Sequence, residues 1–436
     1  MTLLIISPDY ASHLLPLATL GTAWRDAGDR VVVASGPATA SITADFGFGS
    51  TALVLGRGSN PGVIRAEEQV AGEDDALRGF FAATEQGMVA TLLYQAQARR
   101  ADLLWDPVNT ARRVLDVVDA VQPDQVLVDH LAFSARLALL AGGVPHADVV
   151  LGHPSALPVG DEVYGYPPAW PTAFRPDPAD LGPLLKRCRT VRDEFTAEWN
   201  AALKVLSPQV DPVRDAFIEH ARPVLLNYPA ELHDPARTAA LPEHAFLGSA
   251  VRQQQPPPDV REWLDQDRET PVVYVSFGSF LSVRADVLRR VADALRRLPV
   301  RVALAVGSAD RAVLGDLPPE WLVREFLPQV ALLGVSTLAI THGGNNSVTE
   351  SLTCGVPMLV LPFSTDQFAG AAAIEKAGVG IALDPNAASA EDLADTIGRL
   401  VTGGYGAAAG RIGEGLRARP GRQIAREVLT AGALAH

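Results

Sequence analysis

The sequence predicts an α/β protein built from two doubly wound parallel sheets that face each other across a cleft. Three observations predict it. Short apolar runs alternate with helical patterns along the chain, as helices covering both faces of a parallel sheet require. The alternation breaks at residues 253–258, QQQPPP, and then restarts. The length of 436 residues suits two or three domains of about 100–200 residues each.

The elements follow in order. Leu3 to Ser7 is a short apolar strand. An apolar-periodic helix runs from about His13 to Ala27 and stops at Gly28. Arg30 to Ala34 (RVVVA) is the second strand and Leu53 to Leu55 a third. Gln125 to Asp129 (QVLVD), Ala147 to Leu151 (ADVVL) and Val224 to Asn227 complete the first half. The proline run has no side chains to build a core, so it reads as a linker. Beyond it come Val272 to Ser276 (VVYVS), Val302 to Val306, Leu338 to Thr341 and Met358 to Leu361. The expected domains are 1–250 and 259–417, joined by a linker at 251–258, with a terminal segment at 418–436. Two stretches, 80–105 and 154–178, interrupt the first half. Insertions of that length read as binding loops or as plain surface packing.

Composition excludes several classes. The formal net charge is −13, which argues against nucleic acid or an anionic membrane surface as partner. An anionic small ligand remains open, because a helix N-terminus can hold a phosphate locally. Apolar stretches such as Val330 to Ile340 fall short of the roughly 18 residues of a spanning helix. The start, MTLLIISPDY, has no basic residue before Arg25, unlike a secretory signal. Cys188 and Cys354 are too few for a disulfide framework or a cysteine zinc site. A cytoplasmic protein is therefore expected, and a homodimer is left open. Arginine outnumbers lysine 34 to 3, which reads as GC-rich coding.

The densest signal is Thr341 to Glu350, THGGNNSVTE. A strand ends, two glycines let the backbone approach a ligand, and a helix begins. That arrangement binds phosphate. Asn346 and Ser347 can cap the helix, and Ser347 with Glu350 has the spacing of a capping box, which alone needs no ligand. His342 at the strand's carboxyl end faces the crevice where such sheets bind ligands. Three further elements point to the same edge. Ser276-Phe277-Gly278-Ser279 follows the strand VVYVS. Phe326-Leu327-Pro328-Gln329 precedes a helix; its phenylalanine can stack on a base or fill a core. Asp366-Gln367 follows Met358 to Leu361, where an N-cap is the plain alternative.

Taken together, FLPQ … THGGNNSVTESLTCGVPMLVLPFSTDQ resembles the nucleotide-sugar signature of inverting GT-B-fold glycosyltransferases, in particular the actinomycete antibiotic enzymes with macrolide, enediyne or polyketide acceptors. The resemblance covers about 40 contiguous residues, and it implies a fold and roles. The two Rossmann-like domains would form the GT-B architecture, with a C-terminal helix, about Gln423 to Ala433, crossing back to the first domain. Phe326 would stack on the base in place of the usual tryptophan, with Gln329 beside the nucleoside. His342 and the backbone from Gly344 through Asn346 to Ser347 would hold the diphosphate, helped by Ser279. Glu350 would bind the ribose hydroxyls, and Asp366 and Gln367 the donor sugar. Asn345 stands where plant members usually carry tryptophan. No cofactor is implied beyond an NDP-sugar co-substrate, TDP-linked by resemblance, and the acceptor is a hydrophobic small molecule.

Transfer to a hydroxyl requires a base. His13, in SHLLP, lies after the first strand, where the family carries a histidine–x–x–proline pattern. Asp129 ends another strand of the same sheet, and two such edge residues can meet in the crevice. An aspartate bonded to a histidine fixes its tautomer and stabilises the imidazolium. The alternative for His13 is a structural hydrogen bond near a helix start. Asp124 sits on the wrong edge of the sheet, and His130 and His153 fall to the acceptor pocket. No group of His, Asp or Glu has metal-ligand spacing, so no metal is expected. An oxidoreductase lacks its glycine motif, because SPDYASH follows the first strand. Asp265-Gln266-Asp267 precedes its strand and does not fit a metal-dependent transferase. A sugar-nucleotide epimerase and a non-catalytic sugar-nucleotide-binding auxiliary protein are the remaining alternatives.

Overall fold

The computed structural model describes residues 1–60, 73–278, 284–307, 309 and 311–433. It contains two parallel sheets, one of seven strands and one of six. The first is ordered β3-β2-β1-β4-β5-β6-β7, with β1 Thr2–Ile6, β2 Arg30–Ser35, β3 Gly49–Ala52, β4 Gln125–Asp129, β5 Ala147–Val150, β6 Val224–Leu226 and β7 His244–Phe246. The second is ordered β10-β9-β8-β11-β12-β13, with β8 Val272–Ser276, β9 Arg301–Ala305, β10 Leu322–Arg324, β11 Leu338–Thr341, β12 Met358–Val360 and β13 Gly380–Ala382. Every pairing among these strands is parallel, and helices cover both faces. The central strands read as continuous apolar runs because both faces are buried.

The structure corrects the third strand. It lies at Gly49–Ala52, pairing Gly49 with Val32, and Leu53 and Leu55 are buried just beyond it. An edge strand has one partner and can be polar, so apolarity misplaces it. The first helix begins slightly earlier than expected, at Ala11, and ends at Asp26.

In both sheets the chain winds outward one way from the first strand and then the other way from its neighbour. The two switch points are therefore β1/β4 and β8/β11. Crevices open there at the carboxyl ends of the strands. One buried apolar cluster runs from one sheet's domain into the other, with Val150, Leu226 and Tyr228 on one side and Val348, Leu352 and Ala371 on the other. The terminal helix Gly421–Ala433 lies on Ala11–Asp26 of the first domain, with Ala425 buried and Arg422 paired to Asp26 at 2.7 Å. The exposed pair adds little, and the apolar contact carries the docking. Among the described residues no helix is long and apolar enough to cross a membrane.

Several histidines are buried neutral. Burial holds His342 down to about 4. Burial, then the charges of Arg237 and His233, holds His153 at about 3. Burial, then Arg237, holds His233 at about 4. Burial also lowers His130 and His146. An unfolded histidine takes up its proton near pH 6.5, so below that pH the unfolded chain binds more protons than the folded one. Stability is thus present above about pH 6.5 and falls as the pH drops towards 4. A melting curve at pH 5 should lie several degrees below one at pH 7; an equal or higher midpoint at pH 5 would contradict this reading of the buried rings.

Candidate active site

The first half of the site is set by two neighbouring strand ends. Ile6 of β1 pairs with Val128 of β4, which places the loop after β1 beside Asp129. That loop is tied down by Asp9, whose carboxylate accepts from the backbone N–H groups of Ala38 and Thr39 and from the Thr39 hydroxyl. Gly36 permits this: a Cβ there would lie 2.3 Å from an Asp9 carboxylate oxygen. The helix then starts at Ala11 and carries His13 in its first turn.

His13 Nδ1 lies 2.6 Å from Asp129 Oδ2. An ionised carboxylate only accepts, so Nδ1 carries the hydrogen and Nε2 is left bare to take a proton. The other carboxylate oxygen accepts from the Leu131 N–H at 2.8 Å, which fixes the carboxylate's orientation. Asp129 is fully buried, whereas His13 faces the cleft. Burial disfavours the His13 imidazolium, but the charge and hydrogen bond of Asp129, with the charge of Asp366, outweigh it and raise the pKa above 6.5. His13 is thereby a stronger base than an ordinary histidine.

The second half lies across the cleft. After β11 come His342, Gly343 and Gly344, then the helix Asn345–Thr353. Gly343 has φ 85°, a left-handed turn that brings Gly344 to the N-cap. The first N–H groups of a helix have no partner within it, and here they open towards the cleft. His342 sits against both glycine loops: a Cβ on Gly278 would lie 3.1 Å from its Cε1, and one on Gly344 2.4 Å from its Nε2. Its Nδ1 is buried with no hydrogen-bond partner among the described residues. Ser279 lies outside the described residues.

Glu350 and Gln329 meet deeper in the second domain. Glu350 Oε2 accepts from Gln329 Nε2 at 2.6 Å, and Gln329 Oε1 accepts from the Tyr274 hydroxyl at 3.3 Å. The Ser347 hydroxyl is 3.5 Å from Gln329 Nε2, a marginal contact. Glu350 Oε1 is paired with Arg252 Nη1 at 2.9 Å. Burial raises the Glu350 pKa, against the opposing effect of Arg252 and Gln329. Arg252 was invisible to sequence reasoning, because a charged residue in a linker reads as solvated. The linker is in fact docked here, since Gln254 also accepts from the Val330 N–H at 3.1 Å. Phe326 is not a core residue. It is 60% exposed and lines the cleft.

The structure also corrects the capping expectation. The helix begins at Asn345 with Gly344 at the N-cap, and no side chain caps it. Ser347 is already inside the first turn, and Glu350 turns to Arg252 and Gln329. A reciprocal capping box does form at Ser389 and Asp392. Asp366 occupies an N-cap position without capping. Its Oδ2 instead accepts from the His153 N–H of the first domain at 2.6 Å. Gln367 is folded onto its own loop, accepting from the N–H groups of Phe363 and Ser364. The Asn346 side chain reaches the Ser12 carbonyl at 2.6 Å, which leaves the backbone N–H groups as this turn's contribution to an anion site.

Of the expected site residues, His13, Phe326, Gln329, His342, Gly344, Asn346, Ser347, Glu350, Asp366 and Gln367 line one cleft of about 740 Å³ between the two sheets, and Asp129 does not. Its first-domain wall includes Leu15, Phe80, Tyr94, Leu131, Tyr164 and Tyr166, so both insertions reach the cleft. His153 is near the cleft, with Nδ1 accepting from the Ser155 N–H. His130 is buried against Phe133 and does not line it. Among the described residues no group of three or more His, Cys, Asp or Glu could hold a metal ion.

Two doubly wound sheets facing across a cleft form the GT-B architecture. Solved structures share it along nearly the whole chain. The glycosyltransferase VinC in complex with DTDP superposes with a TM-score of 0.68 at 19% identity, covering 100% of both chains. The spinosyn rhamnosyltransferase SpnG complexed with thymidine diphosphate gives 0.65 at 20% identity, covering 98% of this chain and 100% of that one. At such identities the likeness speaks for the fold. The UDP-glucoronosyl and UDP-glucosyl transferase family matches residues 191–419, and the chain belongs to that family. The demethyllactenocin mycarosyltransferase of Streptomyces fradiae is 29% identical over 238 residues, 54% of this chain and 48% of that protein. The uncharacterized UDP-glucosyltransferase YojK of Bacillus subtilis is 28% identical over 184 residues, 42% of this chain and 45% of that protein. The matched stretches span less than half the length of these two relatives.

Proposed function

We propose that this protein is a metal-independent, inverting glycosyltransferase. It moves a sugar, a deoxysugar by resemblance, from a TDP-linked donor to a hydroxyl of a hydrophobic natural-product acceptor. The observation that carries this reading is the placement of two switch points across one cleft. A His13–Asp129 pair stands at one and the glycine turn with His342 at the other. His13 Nε2 takes the acceptor proton as the hydroxyl oxygen attacks the anomeric carbon. The bond to the diphosphate breaks on the opposite face, and the leaving charge settles on the N–H groups that begin the helix Asn345–Thr353. A single displacement inverts the anomeric centre. The TDP bound by VinC and SpnG supports the donor, and the mycarosyltransferase relative supports a deoxysugar. The aromatic and aliphatic first-domain wall supports an apolar acceptor.

The test is a donor-by-acceptor screen read by mass spectrometry, with the product's anomeric proton coupling read by NMR. An α-linked donor should give a β-linked glycoside, and EDTA should leave the rate unchanged. Retention of configuration, or loss with EDTA restored by magnesium, would remove this mechanism. Conversion of the donor into an epimeric TDP-sugar without any acceptor would favour the epimerase reading. Nucleotide binding with no turnover on any acceptor would favour an auxiliary protein.

A further inference from the structure

The helix Asn345–Thr353 opens on two asparagines, and both side chains leave their own domain. Asn345 Nδ2 donates to the carbonyls of Leu151 at 2.6 Å and Asn227 at 2.8 Å, just beyond the ends of β5 and β6. Asn346 Nδ2 donates to the carbonyl of Ser12, the residue before His13, at 2.6 Å. Two first-domain loops and the first turn of the helix Ala11–Asp26 thus converge on two adjacent amides.

The Ser12 carbonyl is free for a reason written in the sequence. In a helix it would accept from the N–H four residues on, and that residue is Pro16, which has none. Proline inside the helix Ala11–Asp26 therefore leaves an unpaired carbonyl beside His13, and the second domain supplies its donor. Asn227 extends the same join, because its side chain accepts from the Ala250 N–H at the start of the linker.

We propose that Asn345 and Asn346 form an interdomain clasp that positions His13 against the donor, with Pro16 exposing the carbonyl the clasp grips. They are positioning residues. The same helix N-terminus that offers N–H groups to the diphosphate holds the helix turn carrying the base, so donor and base are placed by one rigid element. The idea rests on the reading of His13 as base. A misplacement of about 1 Å at the reacting atoms can cost on the order of 100-fold in rate.

The test uses the full chain with Asn346→Ala, Asn346→Asp, Asn346→Gln, Pro16→Ala and the double variant Pro16→Ala/Asn346→Ala. Turnover, TDP affinity, melting temperature and small-angle scattering are measured for each. Asn346→Ala should lower kcat about 10- to 100-fold while TDP affinity stays within about threefold. Asn346→Asp, which cannot donate, should be at least as slow, and Asn346→Gln should recover part of the rate. Pro16→Ala should stabilise the helix yet slow turnover, because the new N–H competes for Ser12. The double variant should be no slower than the worse single one, since both break the same bond. A sixth variant, Asn345→Ala/Asn346→Ala, removes both amides, and its scattering should show a larger radius of gyration. Wild-type kcat in Asn346→Ala would overturn the clasp. So would a kcat loss matched by an equal loss of TDP affinity, which would make Asn346 a nucleotide ligand. Full activity in His13→Ala would sink the base assignment instead, and the scattering arm would still report on the clasp.

Discussion

Replacing His13 with alanine is expected to lower turnover on an aliphatic alcohol by roughly 10²- to 10⁴-fold, the worth of a positioned base. TDP affinity should hardly change, because the proposed nucleotide elements lie in the other domain. An acceptor with an acidic hydroxyl, such as a nitrophenol, should partly rescue the variant, since it arrives ionised. Asp129→Asn keeps the shape and the contact at 2.6 Å but removes the charge that raises the His13 pKa. It should slow turnover less than His13→Ala if the ring keeps its tautomer. The sign of the pH effect follows. The working base is the neutral imidazole, and its pKa is raised, so the wild-type rate should climb with pH through a value above 6.5. In Asp129→Asn that limb should move to lower pH. Full activity of His13→Ala on the aliphatic alcohol, with an unshifted pH limb in Asp129→Asn, would turn attention to His153, which stands near the cleft.

The strands flanking the two switch points were legible in the sequence, and the edges of the sheets were not. β1, β4, β8 and β11 are buried on both faces, so each reads as an unbroken apolar run. β3, β7, β10 and β13 are the sheet edges. Three or four residues with one partner carry little periodic signal, so β3 is displaced in the apolar pattern and β7 and β13 leave no run of their own. The site follows the same logic. His13, Asp129 and His342 sit where a visible strand ends, and those positions can be counted from the strand. Arg252, Gln254 and the outward reach of Asn345 and Asn346 depend on how two domains face each other. No local pattern encodes that distance, and the proline run hid the linker's docking. Pro16 was readable as part of a histidine–x–x–proline pattern, but its consequence appears only once Asn346 is seen to bond Ser12.

Two adjacent glycines should fail in different ways when each is changed to alanine, and the contrast tests the phosphate turn. Gly343 has φ 85°, and a Cβ there would sit 2.7 Å from Val360 Cγ1. Alanine meets both backbone strain and a clash inside the core, and strain of this kind costs about 1–3 kcal/mol. Gly343→Ala should therefore lower the melting temperature. Gly344 has φ −60° and ψ 138°, which any residue adopts. Its Cβ would lie 2.4 Å from His342 Nε2, so the imidazole must swing away from the proposed diphosphate position. That ring has no bond holding it at Nδ1 among the described residues, so the movement costs the fold little. The loss appears in function instead. Removing one donor from a site of developing negative charge costs on the order of 10²- to 10³-fold in rate. Gly344→Ala should thus lose about 10²-fold in turnover, and TDP affinity should weaken, with a melting temperature close to wild type. Calorimetric titration of TDP alongside thermal melts separates the two variants. A Gly344→Ala protein that binds TDP normally and turns over at the wild-type rate would place the diphosphate away from this turn.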